Sequence, residues 1–227
     1  MINYYEDILQ GSEEWLQVRC GCLTASEMKN ILTPTLKIAN NDKTRQHIYE
    51  LLAQRITEYV EPHYLSEDML RGQYDEIKAR DIYEQEYDAV TEMGFITNTS
   101  LGFTLGFSPD GLVGDDGFIE IKSRRQKYQI ETILADEVPA EYMLQIQTGL
   151  LVSERKWCDF ISYSAGLPMF TKRVYPDETM QAAIIEAATA FETKVSDLRA
   201  DYLCKLEGDM RLIPTEREIE TTEEIQI

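Results

Sequence analysis

Phe118-Ile119-Glu120-Ile121-Lys122 decides the fold. Aromatic and β-branched residues favour a strand, and a strand turns successive side chains to opposite faces. Glu120 and Lys122 therefore share one face, while Ile119 and Ile121 share the other, toward a core. Ten residues before Glu120 stands Asp110, in Ser108-Pro109-Asp110-Gly111. Val113-Gly114-Asp115-Asp116-Gly117 supplies turn residues between them, so a hairpin brings Asp110 next to Glu120. Each piece alone has a plain structural account. Ser-Pro-Asp-Gly is a common turn, and Glu-x-Lys on a strand is often an exposed ion pair worth about 0–1 kcal/mol.

Outward from that strand, the chain alternates in period. Ser12 caps a short helix beginning Glu13-Glu14-Trp15, and Thr24-Ala25-Ser26-Glu27 begins another. Lys43 to Val60 has helical spacing, with Ile48, Leu51, Leu52, Arg55 and Ile56 on one side. Leu70 to Met93 reads as one long helix whose stripe Ala79, Tyr83, Tyr87 and Val90 faces inward, and Glu76 lies on that stripe. Phe95 to Thr99, Phe103 to Phe107 and Gly111 to Val113 are short strands separated by glycine turns. Pro139 precedes the amphipathic helix AEYMLQIQTGLLVSE. Trp157–Ser164 and Met169–Val174 form a hairpin, and Ala182–Leu206 a final helix. The order implies a mixed central sheet flanked by helices, an α/β (α+β) fold.

Two adjacent carboxylates raise each other's pKa. A divalent cation removes that penalty, and hard oxygen ligands with few histidines favour Mg²⁺, with Mn²⁺ able to substitute. Glu76 supplies a third carboxylate. Lys122 can lower the pKa of an attacking water or stabilise charge developing at phosphorus. With Gln145-x-Gln147 following, the order of residues is the PD-x(n)-E-x-K pattern of a nuclease superfamily with a restriction-endonuclease-like core.

Composition bounds the alternatives. The 227 residues carry a formal net charge of −19, which excludes a bulk-basic nucleic-acid binder but not a local basic channel. Such a channel has a candidate in Lys122-Ser-Arg-Arg-Gln-Lys127, which is otherwise a solvated charged face. Residues 1–213 are expected to form a single nuclease domain and 214–227 an acidic tail outside the core. Cys20, Cys22, Cys158 and Cys204 show no metal spacing, which fits a reduced, cytoplasmic protein. The start of the chain lacks the basic region of a signal peptide, and no apolar run is long enough to cross a membrane. His47 and His63 are isolated, Cys20-x-Cys22 lacks the further cysteines of an iron–sulfur site, and Trp15 and Trp157 read as core.

Five motifs in order resemble the phage lambda exonuclease and YqaJ-type viral recombinase nuclease family. They are Glu14-Trp15 with Arg19 and Gly21-Cys22-Leu23-Thr24-Ala25-Ser26-Glu27; Gly72-Gln73-Tyr74-Asp75-Glu76 with Ala79-Arg80; Ser108-Pro109-Asp110-Gly111; Glu120-Ile121-Lys122; and Tyr142-Met143-Leu144-Gln145-Ile146-Gln147. The resemblance implies a 5′→3′ exonuclease on double-stranded DNA that releases mononucleotides and leaves a 3′ single strand for recombination by strand annealing. It implies that Asp110, Glu120 and the Ile121 carbonyl bind metal, that Glu76 completes the site, and that Lys122 activates water. Gln147 would orient near the reacting phosphate. Gln145 would contact DNA, and Arg19 and Ser26 would hold the 5′-phosphate. Arg124 and Arg125, just after Lys122, are expected on the DNA backbone. A homotrimeric ring and a single-strand-annealing recombinase partner come with the family. No match covers the segment before Gly11 or Lys29–Asn41, so residues that separate the strands do not carry over. An endonuclease on the same fold, or a non-catalytic DNA-end or recombination-partner binding module, are the alternatives.

Overall fold

The computed structural model describes residues 1–62 and 66–217. His63 and the tail from 218 onward lie outside the described residues; residues 214–217 are exposed and carry no helix or strand.

Two mixed sheets replace the single one expected. The first has the order β1 (Ile2–Tyr5), β4 (Phe95–Asn98), β5 (Leu105–Phe107), β2 (Leu23–Thr24); only β2 runs parallel to its neighbour. The second has the order β3 (Val90–Thr91), β6 (Gly111–Val113), β7 (Gly117–Ser123), β8 (Trp157–Tyr163), β9 (Phe170–Val174), with β7 and β8 parallel and the rest antiparallel. The chain crosses from one sheet to the other at Ser108–Asp110.

The expected hairpin forms. Gly111 pairs with Ile119 and Val113 with Gly117, so Asp110 falls opposite Glu120. Gly114 makes the turn with φ of +51°, where an L side chain would be strained. Gly117 serves a different need: a Cβ there would lie 2.1 Å from the Trp157 ring.

β7 is covered on both faces, where the alternation predicted one core face and one open one. Helix α3 (Glu67–Glu86) packs on Ile119 and Ile121 through Ala79 and Tyr83. Phe118 belongs to the larger core with Leu144 of α5 (Ala140–Ser153) and with Phe107 and Phe160. Every residue from Gly117 to Ile121 is consequently buried. α3 is tied to the second sheet by a polar lock centred on a buried pair. The Tyr83 hydroxyl donates to Asp159 at 2.7 Å, and Arg173 forks onto the same carboxylate at 2.8 and 2.7 Å. Tyr83 and Asp159 are buried, and leaving either unpaired would cost about 1–3 kcal/mol, so the lock fixes the helix that carries Glu76.

The other helices follow their caps. Ser12 accepts from the Trp15 N–H at the start of α1 (Glu13–Arg19). Asn41 caps α2 (Asp42–Thr57), and Asp177 caps α6 (Glu178–Leu206). Thr24 precedes a 3₁₀ helix over Ala25–Asn30. α3 stops at Glu86 rather than running to Met93. Tyr87 is exposed, and Val90–Thr91 instead pairs with β6 as an edge strand. Helix α4 (Gln126–Ala135) has no counterpart in the sequence reading.

Candidate active site

The C-terminal end of β7 gathers the polar groups. Glu120 is 1% exposed. Its Oε1 accepts from Lys122 Nζ at 2.6 Å and from Gln145 Nε2 at 2.5 Å, while its Oε2 is buried without a hydrogen-bond partner. Asp110 Oδ2 accepts from the Ile121 N–H at 2.5 Å, which pins the Ser-Pro-Asp-Gly turn against β7. Glu76 reaches the same place from α3, where Arg80 holds its Oε1 at 2.7 Å and also pairs with Glu92. Lys122 Nζ lies 5.6 Å from the centre of the Tyr142 ring.

Desolvation governs the charges here. Burial, against the pull of Lys122 and with Asp110 and Glu76 adding to it, raises the Glu120 carboxyl to about 8. Burial and the neighbouring Asp110 raise Glu76 to about 7, opposed by Arg80. Asp110 is also raised, by burial, in spite of Lys122 and the Ile121 N–H. Burial alone would lower the Lys122 pKa, but Glu120 and Asp110 raise it above its ordinary value, so the ammonium stays charged. Three carboxyls in a dry site thus resist ionising together.

That donor set fits a hard divalent cation. Glu120 Oε2 is an orphaned buried acceptor, the remaining donors are carboxylate oxygens, and mutual repulsion is what a divalent charge relieves. Among the described residues no three His, Cys, Asp or Glu side chains form a ready-made cage. Asp110 is turned onto an N–H, and Glu76 onto Arg80. Asp110, Glu120 and Glu76 would have to exchange these partners to ligate together.

A second cationic group reaches the Ser-Pro-Asp-Gly turn. Arg19 is stacked over Trp15 at 4.1 Å and lies 5.3 Å from the centre of the Phe95 ring. Its Nη1 donates to Ser108 Oγ at 3.3 Å and its Nη2 reaches Thr24 Oγ1 at 3.5 Å. These partners are hydroxyls, not carboxylates, and burial lowers the Arg19 pKa despite Glu27 nearby. Ser26 is exposed, its hydroxyl 3.3 Å from Thr24 Oγ1. Glu27 accepts from the Thr24 N–H at 3.1 Å, so a carboxylate of the chain itself already caps this short 3₁₀ turn. Ser108, which the sequence reading placed in a turn and in a family motif but gave no role of its own, is the hub of this cluster: it also accepts from Trp15 Nε1 at 3.0 Å. Trp15 is therefore half-buried scaffolding for Arg19 rather than core. The signal for Ser108 was its place two residues before Asp110.

Gln147 is not in the site. It is fully buried on the far side of α5, where Nε2 donates to the Tyr175 carbonyl at 2.8 Å and Oε1 accepts from the Asp177 N–H at 2.8 Å. Two residues along a helix are about 200° apart, so Gln145 and Gln147 cannot face the same place, and Gln145 is the one on Glu120. Gln147→Ala should lower stability by about 1–3 kcal/mol, because a fully buried side chain and both of its hydrogen bonds are lost, while kcat per folded molecule stays unchanged. Gln145→Ala should show the reverse. Denaturant melts alongside rate measurements separate the two, and a large kcat loss in Gln147→Ala would restore it to the site.

Arg124 is held in place, not extended into solvent. Its Nη1 donates to Glu141 at 2.8 Å and to the Tyr142 hydroxyl at 2.6 Å. Arg125 is exposed at the N-cap of α4. His47 is buried against Phe191 with Nδ1 3.3 Å from Glu50. All four cysteines are free; Cys22 is buried, and burial pushes its thiol up to about 12.

Residues 14–156 match the family described as YqaJ-like viral recombinase domain. No curated protein matches the chain. Among solved structures, an alkaline exonuclease from Laribacter hongkongensis is 34% identical, with a TM-score of 0.77 over 86% of this chain and 98% of its own. The same figures hold for that enzyme in complex with dAMP. A phage-related exonuclease from Haemophilus somnus is 12% identical, with a TM-score of 0.58 over 80% of this chain and 96% of its own, and shares the fold.

Proposed function

The chain belongs to the YqaJ-like viral recombinase domain family, and on that premise we propose that it is a metal-dependent 5′→3′ exonuclease acting on double-stranded DNA. It releases mononucleotides and leaves 3′ overhangs for recombination by strand annealing. The observation that carries this reading is the meeting of Asp110, Glu120, Lys122 and Gln145 at the end of β7, with one buried carboxylate oxygen left unpartnered. The dAMP complex of the 34%-identical alkaline exonuclease supports a mononucleotide product.

Asp110, Glu120 and Glu76, with the Ile121 carbonyl, would hold Mg²⁺, or Mn²⁺ in its place. Bound there, the metal supplies Lewis acidity toward a phosphate oxygen and lowers the pKa of a water. The protein's own groups do the rest. Lys122 places a fixed positive charge beside the reacting phosphate, where charge develops. Gln145 orients Glu120. Arg19, Ser26 and Ser108 offer the 5′-phosphate a guanidinium and two hydroxyls, and Arg125 reaches the DNA backbone. A ring of three subunits and a partner annealing protein complete the proposal. No helix among the described residues is long and apolar enough to cross a membrane.

A time course with Mg²⁺ on linear duplex labelled at either terminus tests this. The 5′ label should appear first, as a mononucleotide, and covalently closed plasmid should survive. Early release of the 3′ label would reverse the polarity, and a cut plasmid would establish the endonuclease instead.

The raised carboxyls also predict a pH effect. A carboxyl whose pKa is higher folded than unfolded keeps, in the native state, a proton that the unfolded chain gives up. Its stabilisation is full below the ordinary value of 4.5 and is lost as pH rises through about 7 for Glu76 and about 8 for Glu120. Glu120→Gln should therefore gain stability relative to the metal-free wild type between those limits. Mg²⁺ should stabilise the wild type more at the upper end than at the lower. Melting curves with EDTA or Mg²⁺ check both, and a pH-independent difference would contradict the assignment.

A further inference from the structure

Beyond Lys122 the chain builds a cavity of about 350 Å³, of which the site described so far uses only Arg125. Arg71, Ser123, Arg124, Arg125, Tyr128 and Tyr142 line it, together with Glu141. Part of its wall is braced by hydrogen bonds. Arg71 Nε donates to Ser123 Oγ at 3.2 Å, and Ser123 Oγ donates to Asp75 at 2.6 Å. Arg124 lies 5.1 Å from the Tyr128 ring centre and 5.3 Å from that of Tyr142. The Arg124 side chain is only 9% exposed, and its Nε is buried without a partner.

Helix α4, which carries Tyr128, is turned inside out. Gln129 and Thr132 are its buried residues, whereas Tyr128, Ile130 and Leu134 are exposed. An aromatic ring left outside, beside arginines and a chain of braced hydroxyls, is the chemistry that takes a base face and a phosphate. Position supplies the polarity. In the order β6-β7-β8, the Asp110 side of β7 leads to Ser108 and Arg19. The opposite side leads to Arg124, whose N–H donates to the Tyr163 carbonyl at the end of β8, at 2.7 Å.

We propose that this cavity is the subsite for the nucleotide on the 3′ side of the cut, in the strand being digested, with its base stacked on Tyr128 and its phosphate beside Arg124. The assignment rests on the carboxylate site being where DNA is cut and on Arg19 holding the 5′ end, because a strand running between the two must leave past Lys122. Glu141 is the resident anion on Arg124. Its side chain is 63% exposed, so an incoming phosphate displaces it at little cost.

The test is single-turnover release of the 5′-terminal nucleotide from 5′-phosphorylated duplex with Mg²⁺, as a function of enzyme concentration. Tyr128→Ala should raise the half-saturating concentration about tenfold with the maximal rate unchanged, and Tyr128→Phe should restore it. An abasic second nucleotide in the cut strand should weaken the wild type by the same factor and abolish the difference between wild type and Tyr128→Ala. The same lesion in the complementary strand should leave that difference intact. Glu141→Gln should bind DNA at least as tightly as wild type. The proposal fails if Tyr128→Ala saturates like wild type, or if only the complementary-strand lesion erases the difference. In either case a wild type that still digests DNA leaves the nuclease reading standing. A wild type inert on every duplex would overturn that reading, and the subsite with it.

Discussion

Asp110→Ala should slow digestion of linear duplex at least about a thousandfold while the protein still binds DNA. Groups that act as one catalytic unit lose most of the rate when any member goes, and Asp110 is the member through which the Ser-Pro-Asp-Gly turn meets β7. Removing it also orphans the Ile121 N–H, which costs about 1–3 kcal/mol, but it deletes a desolvated carboxyl as well, so the two effects oppose. Asp110→Asn isolates the chemistry: its amide oxygen still accepts from Ile121, so fold and turn are kept while the negative charge is gone. Rates on 5′-labelled duplex, anisotropy with the same duplex and a melt of each variant measure the three quantities. Retained nuclease activity in Asp110→Asn would remove the carboxylates, and the metal with them, from the mechanism.

Sequence periodicity located this site because its key contact is local. Asp110 and Glu120 are joined by one tight hairpin, so alternation and turn residues suffice to bring them together. Glu76 and Gln145 lie on helices, and there the outcome depended on angle. Gln145 and Gln147 are equivalent in a motif yet about 200° apart on α5, and only packing decides which faces β7. The end of α3 was misplaced because the stripe from Ala79 through Val90 continues at helical spacing past the last helical residue, and the pairing of Val90 with Val113 overrides it. α4 was invisible for the opposite reason. It buries Gln129, hydrogen-bonded to the Ser162 and Pro168 carbonyls, and exposes Tyr128, Ile130 and Leu134, so it carries no amphipathic signal of the usual sense. β1 pairs only four residues, and its partner lies 90 or more residues away. The division into two sheets follows from such long-range pairings, which local pattern does not encode.

The 5′-phosphate provides the other large effect. Arg19 is half-buried against two aromatic rings and hydrogen-bonded only to neutral hydroxyls, so its charge is partly desolvated with only the nearby Glu27 to offset it. A guanidinium in that state gains more from an anion than an exposed one does, because the desolvation is already built into the fold. Duplex with 5′-OH ends should therefore be digested about 10- to 100-fold more slowly than duplex with 5′-phosphate ends, the range expected for a hydrogen bond to a charged group. The decisive measurement is the cycle that combines both changes. Arg19→Ala should be slow on phosphorylated ends and should no longer discriminate between the two. Arg19→Lys should recover part of the rate, since it keeps the charge but loses the planar fork. Equal rates of the wild type on the two ends would assign Arg19 to scaffolding. Discrimination that persists in Arg19→Ala would place the phosphate elsewhere, and with it the direction in which the strand crosses β7.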